Sequence, residues 1–442
     1  MLKNNLKKLG IVIFLVILSA MAYAQEPAVP EVPLADVVFM HEMYMDHTQS
    51  IIAIEKGWFK DVGISIVPEP YGKIGQTGEL VQLFTAGAMD VVSGSAQLLL
   101  PSYKNIPSNK FFAIGDLFQG YAIMAQPDQN YKSAQEYIDE GLTPDEAIQK
   151  AIQQMVGKKF AYPSEAAIKG FIMLAFNKGK VDLSDVQSIV AEDQKTWAMM
   201  IAKEADFQVG GVPSRLTLES KGFKPIVTSF DLAKYAEASP DSEALRAVFY
   251  DGWMASDKWI SENYDTMLRM ASVCWRINKF INENTDEALD IHIPFVNSVA
   301  GTEITPEEGK VAYKSLHPFI TFEELESIYM DDTNPLNQKY VIGSYIKMYE
   351  DAGLFKLDEI KVENVAIDAE VYKKMLEYKN KSDQLYPLIE EKINEAKEKS
   401  KDVLKAQELL EKSKYFYNAY DFLDAKIFAE SAQEWADYLL KK

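Results

Sequence analysis

Ten consecutive residues, Met40-His41-Glu42-Met43-Tyr44-Met45-Asp46-His47-Thr48-Gln49, bring together two of the chain's four histidines, two carboxylates, a phenol and three thioethers. Imidazole with carboxylate is zinc chemistry, and imidazole with thioether suits Cu(I). The spacing argues against zinc: His41 and His47 stand six apart, unlike the His-Glu-x-x-His pattern that sets two imidazoles on one helix face. A copper reading through Met40, Met43 and Met45 stays open, but no metal ligand is expected. Catalysis has no better footing. The chain lacks a Gly-x-Ser-x-Gly elbow, and its single cysteine, Cys274, reads as a buried small hydrophobe. There is also no Gly-rich loop ending in Gly-Lys-Ser/Thr to cradle nucleotide phosphates, so neither a catalytic residue nor a cofactor is expected.

What remains is the wall of a binding pocket. Asp46 and Gln49 have capping-box spacing ahead of Ile51, so Asp46 is expected to cap a helix. Tyr44 and His47 flank that cap and are expected to face a ligand, the ring by stacking and the imidazole by donating or accepting a hydrogen bond. The stretch holds no Lys or Arg. An anionic ligand would have to rely on helix N-termini, hydroxyls, or the distant Lys73 and Arg215.

The elements around the stretch give it a place. LADVVFM ahead of it reads as a buried strand, SIIAIEKG behind it as a helix with a glycine stop at Gly57, and VGISIVPE as a second strand. A helix over GELVQLFTAG and a strand over AMDVVSG follow, and similar βα grammar returns from GKKFAYPSEAAIKG to FKPIVTSF. The class is therefore α/β, with two lobes, hinges near Gly115 to Gly120 and Phe249 to Trp253, and a cleft between. Ligands of open α/β sheets gather at the carboxyl ends of strands. Four turns qualify, and they make Tyr44, His47, Thr48, Ser95, Gln97, Ser164, Gly210 and Gly211 the expected ligand-binding residues. Ser95 and Ser164 can serve equally as N-caps. Trp253 and Trp259 are expected mainly in the core, and Thr77 as a helix cap.

The ends read differently from the middle. Lys3, Lys7 and Lys8 precede the apolar run Ile11 to Leu18, and Ala22-Tyr23-Ala24 forms a small-residue cleavage pattern. Residues 1–24 are expected to be a cleavable signal peptide, not of the lipoprotein type because Gln25 rather than cysteine follows. A Pro-rich spacer occupies 25–34. Lobe 1 is expected over 35–115, lobe 2 over 116–245, and a return to lobe 1 with helices over 246–380, where strand grammar fades after Asp241. Over 381–442, Val403, Ala406 and Leu410 face Ala425, Ala429, Ala432 and Ala436 at 3/4 spacing, which predicts an antiparallel helical hairpin. Its small-residue seam is similar to one tetratricopeptide-type helix pair, too few for a solenoid. The formal net charge of −20 becomes −23 without the three leader lysines. So acidic a surface repels phosphate, which excludes nucleic acid and anionic membrane as expected partners.

Two ordered motifs carry a family resemblance. Glu55-Lys56-Gly57-Trp58-Phe59-Lys60-Asp61-Val62-Gly63-Ile64 resembles the "kGyFkdeGl" opening of the solute-binding proteins of the nitrate, sulfonate, taurine and thiamine-pyrimidine ABC transporter group. Leu83 to Val91 with Gly94-Ser95 is similar to the "sGe.D.v..gs" segment that follows there, and Gly157 to Ser164 and Ala205 to Val209 resemble second-lobe turns. The group's usual aromatic and acidic residues before the second-lobe proline are replaced here by Gly210-Gly211-Val212. The resemblance implies a type II periplasmic binding fold, here with the C-terminal helical hairpin added. It also implies a monomer that closes on a small organic solute, a pyrimidine-like heterocycle or a sulfonate, and delivers it to an ABC permease in the inner membrane. The alternative is a periplasmic sensor of the same fold whose hairpin contacts a partner. Fungal pyrimidine-synthesising relatives are enzymes that hold pyridoxal phosphate and carry a cysteine-rich motif, which one cysteine cannot supply; no enzyme is expected.

Overall fold

The computed structural model describes residues 26–104 and 108–442. The expected signal peptide lies outside the described residues. The chain divides into two units, one spanning Leu34–Lys373 and the other joining Lys374–Lys442 to the residues before Leu34.

The larger unit has two sheets. In chain order come β1 (Ala35–Glu42), β2 (Ile64–Val67), β3 (Lys73–Gly75), β4 (Val91–Ser95) and β5 (Asn109–Phe118). Then follow β6 (Ala122–Ala125), β7 (Lys159–Tyr162), β8 (Gln187–Val190), β9 (Phe207–Gly210) and β10 (Lys224–Thr228), and finally β11 (Phe249–Ser256). The first sheet has the order β2-β1-β4-β11-β5 with β3 also on β1, and the second the order β10-β6-β9-β7-β8. β1 is parallel to β2, β3 and β4, so it is covered on both faces and reads as an almost unbroken apolar run, with Val37, Phe39 and Met40 fully buried.

β11 enters this sheet from far along the chain and lies antiparallel between β4 and β5. It is the exception to the expected fading of strands after Asp241. Its residues FYDGWMAS are almost wholly buried, so they show no two-residue alternation. β3, at three residues, is too short to show any period.

The chain leaves the first sheet through Gln119–Tyr121, between β5 and β6. It returns through the helix Ser229–Ala233 and the 3₁₀ turn Glu243–Ala247 into β11. The first crossing falls at the far end of the expected Gly115 to Gly120 hinge, and the second lies just ahead of the expected Phe249 to Trp253. Asp116, Leu117 and Phe118 still belong to β5 in lobe 1, and the second crossing ends where Phe249 to Trp253 begin, because those residues are ladder-paired within β11. Trp253 is core, edge-on to Phe39 at 5.3 Å and stacked with Phe59 at 6.0 Å.

The smaller unit holds the remainder of the helix Asp368–Glu398 with the helices Leu404–Asn418 and Phe422–Lys441. The expected hairpin is present, but its seam is a three-helix core: Ile389, Ile393 and Ala396 join Ala406, Leu410, Ala425 and Ala429. Phe416 stacks on Phe428 at 5.4 Å, and Ser431 Oγ donates to the Ala28 carbonyl at 3.1 Å.

Candidate functional site

The carboxyl ends of the strands in the two sheets converge on one cavity. From lobe 1 come Glu42 at the end of β1, Tyr44, Asp46 and His47 in the loop after it, Ser95 at the end of β4, and Phe118 and Phe249 on the strands next to the crossings. From lobe 2 come Glu165 and Ala166 after β7, Asp193 after β8, and Gly211 and Val212 after β9. The enclosed space is only about 30 Å³, enough for an ion or one to two waters.

The back wall is aromatic. Phe118 stacks on Phe249 at 4.7 Å and meets Tyr121 at 4.8 Å. Gly211 lets this stack approach: a Cβ there would lie 2.6 Å from Phe118 Cζ. Gly211→Ala should therefore cost about 1–2 kcal/mol, read as a lower urea midpoint with unchanged m-value.

A hydrogen-bonded bridge spans the cleft. Glu165 Oε1 accepts from Tyr44 Oη at 2.7 Å and from Thr77 Oγ1 at 3.1 Å, both donors lying in lobe 1. Gln194 Nε2 adds a bond to the Ala300 carbonyl at 3.0 Å. The two lobes are thus described in a closed arrangement.

Beneath the cavity lies a buried acidic cluster. His47 Nε2 stands 3.1 Å from Glu42 Oε2, 3.6 Å from Asp251 Oδ1 and 3.8 Å from Asp46 Oδ2. Asp251 on β11 pairs with Ser95 on one side and Asp116 on the other, so the antiparallel register puts all three on one face of the sheet. Both carboxylate oxygens of Asp251 and of Asp116 have no hydrogen-bond partner among the described residues, and neither side chain reaches solvent. Burial lifts Asp46 to about 7 and Asp193 to about 8. It pushes Glu42, Asp116 and Asp251 well above the usual carboxyl range and raises Glu165. Neighbouring carboxylates add to the effect, Glu165 acting on Glu42 and Asp46 acting on Asp116 and Asp251. The same burial lowers His47 to about 3, so its ring is neutral at physiological pH.

No Lys or Arg is among the residues lining the cavity. Lys73 is paired with Glu79 at 3.0 Å, and Arg215 is held by Glu219 and the Gly120 carbonyl. The N-terminus of the helix Ala166–Gly179 faces the cavity, yet Glu165 sits at its N-cap and sets a carboxyl group at the positive end of the dipole.

Of the residues expected to bind ligand, Tyr44, His47, Ser95 and Gly211 line the cavity. Thr48 is buried behind it, donating to the Tyr44 carbonyl and paired with His292 Nε2 at 2.8 Å. Gln97 is fully buried outside the lining, and Gly210 packs against Ser214, Gln208 and Asp193. Ser164 is exposed, with Glu165 in the cap position instead. The capping role of Asp46 is overturned. The helix begins at Ser50 with Gln49 as its N-cap and no side-chain cap bond, one turn later than the capping box requires, so Asp46 is free to turn toward His47 and Asp251. Thr77 likewise does not cap: Gln76 holds that position. Glu42 and Glu165 lay inside turns the sequence reading singled out without being expected to bind ligand, and Asp116, Asp193 and Asp251 had no site role in it. For two of them a signal existed, since Asp116 and Asp251 are lone charges inside the apolar runs FFAIGDLF and VFYDGW.

No family model matches the chain, and no curated protein matches it in sequence. Solved structures match it in architecture. A putative periplasmic sulfonate-binding protein, SsuA from Methylobacillus flagellatus KT, aligns with TM-score 0.53 and 12% identity over 77% of this chain and 94% of its own. The fold is that of periplasmic solute-binding proteins. The ligand-binding component of an ABC-type import system from Staphylococcus aureus, with zinc bound, aligns at TM-score 0.52 and 10% identity over 76% of this chain and 98% of its own. The desulfurization enzyme DSZB aligns at 0.50 and 11% identity over 77% and 98%. One architecture thus serves binding proteins and an enzyme, and function must be argued from the site. No helix among the described residues is long and apolar enough to cross a membrane.

Proposed function

We propose that the protein is an exported, periplasmic solute-binding protein that captures a small, positively charged solute between its lobes and delivers it to an ABC importer. The observation that carries this reading is the lining of the cleft: Glu42, Asp46, Glu165 and Asp193, with no Lys or Arg among the lining residues. Such a wall offers a sulfonate no cationic partner, whereas a cation can displace the carboxyl protons and pair with the anions left behind. A pyrimidine-like heterocycle fits the Tyr44 and Tyr121 rings only if it carries positive charge. Binding ranks above catalysis because Cys274, the single cysteine, is buried with its thiol on the Ile114 carbonyl, and burial raises its pKa.

A thermal-shift screen tests the reading. Divalent metal salts and protonated amines should raise the melting temperature, a ligand at one hundred times its Kd adding about 2.7 kcal/mol, and sulfonates and neutral pyrimidines should leave it unchanged. Stabilisation by sulfonates alone would sink it.

A further inference from the structure

We propose that the captured cation is a divalent first-row transition metal, held at the floor of the cleft by Asp46, His47 and Asp251. This rests on the cation-binding reading above and narrows it to one chemical class.

The first argument is geometric. Donors around an ion at the usual 2.0–2.2 Å distances stand roughly 3.4 Å from one another in a tetrahedral shell. Asp251 Oδ1 and Asp46 Oδ2 lie 3.6 and 3.8 Å from His47 Nε2, and one donor atom each from Asp46, His47 and Asp251 falls within 4.8 Å of the others; Glu42, 3.1 Å from Nε2, stands outside that group as a neighbour.

The second is an accounting of protons and donors. Asp46 Oδ1 and both oxygens of Asp251 accept from no N–H or hydroxyl group among the described residues, and Asp251 is completely buried with Oδ1 directed at the imidazole. In the cation-free protein a proton shared between the two carboxyls can occupy them, and a bound cation would take that proton's place. Buried oxygens in that condition are costly unless a proton or a cation meets them.

The third is space. A cavity of about 30 Å³ has room for an ion with a water. Two carboxylates with one imidazole suit zinc, cobalt or manganese better than calcium or magnesium, which take all-oxygen shells. Cu(I) is disfavoured because Met43 Sδ is occupied by Gln76 and Gln194, and Met40 and Met45 are buried in the core.

The test uses purified full-length protein stripped with chelator. Calorimetric titration with Zn²⁺ and visible absorbance with Co²⁺ should each show one ion per chain, and X-ray absorption of the zinc form should show nitrogen and oxygen ligands only. Asp251→Asn and Asp46→Asn, both near-isosteric, should each weaken binding by roughly 100-fold or more while melting cooperatively. Tight binding untouched by both variants, or sulfur in the shell, overturns the assignment. Stabilisation by protonated amines with no metal uptake also overturns it and leaves the solute-binding reading standing. Failure of metals and amines alike removes both.

Discussion

Raising the pH from about 6.5 to about 8 should destabilise the cation-free protein by about 2 kcal/mol, the reverse of the usual behaviour of proteins held by salt-bridged carboxylates; below that window the four buried histidines, held at about 3 to 4 against 6.5 in the unfolded chain, contribute with the opposite sign. Two buried acids away from the proposed metal ligands set the window. Asp193 is lifted by burial to about 8, and Asp368 is lifted by burial to about 7, although Tyr329 Oη and Gln338 Nε2 donate to it at 3.0 and 2.7 Å. In the unfolded chain both titrate near 3.8. Between that value and their folded values the native state holds protons that the unfolded state has released, so unfolding becomes easier as pH rises. Below about 4 both states are protonated and the contribution is fully present; above about 8 it is gone. Each pKa unit is worth about 1.4 kcal/mol, so a shift of a few units on either acid is a large fraction of a typical stability. Urea denaturation across this pH range measures it, and stability that stays flat or rises toward pH 8 would contradict it.

Removing the bridge across the cleft should open the molecule. Glu165→Ala deletes the oxygen that accepts from both Tyr44 and Thr77. Two such bonds, one acceptor being a carboxyl, are worth roughly 2–4 kcal/mol, a shift of about two orders of magnitude in the ratio of closed to open forms. The radius of gyration in small-angle scattering should grow, and ligand affinity should fall with it. Glu165→Gln keeps a carbonyl oxygen for both donors and should remain closed. An alanine variant that scatters like the parent chain would show that closure is held elsewhere.

The fold was legible because its signals are local. The strand LADVVFM, the helix SIIAIEKG and the small-residue seam of the C-terminal helices each declare themselves through period and glycine punctuation. β11 and β3 did not, one because it is buried on both faces and the other because it is three residues long. The site was legible in part, through its turns. Tyr44 and His47 line the cavity, and Ser95 and Gly211 reach it as well, but the charge that defines it comes from strands and loops far apart in the chain. Glu42, Asp116 and Asp251 meet on one sheet, and Glu165 and Asp193 come from the facing lobe. Only the sheet register assembles the cluster, and register is not written in any single segment.

The placement of β11 also orders assembly in time. Residues 122–228 supply all five strands of the second sheet and can pair without waiting for later chain. The first sheet cannot: β4 and β5 remain unpaired along facing edges until residues beyond 248 arrive to fill the gap between them. During synthesis lobe 2 is therefore free to mature first, while lobe 1 stays an open, adhesive half-sheet, the kind of intermediate that chaperones shield. Asp251 rides in on that last strand. The acidic floor of the cleft is completed by the same event that seals the sheet, so a chain ending before this point has the strands of the second sheet and an unfinished ligand site.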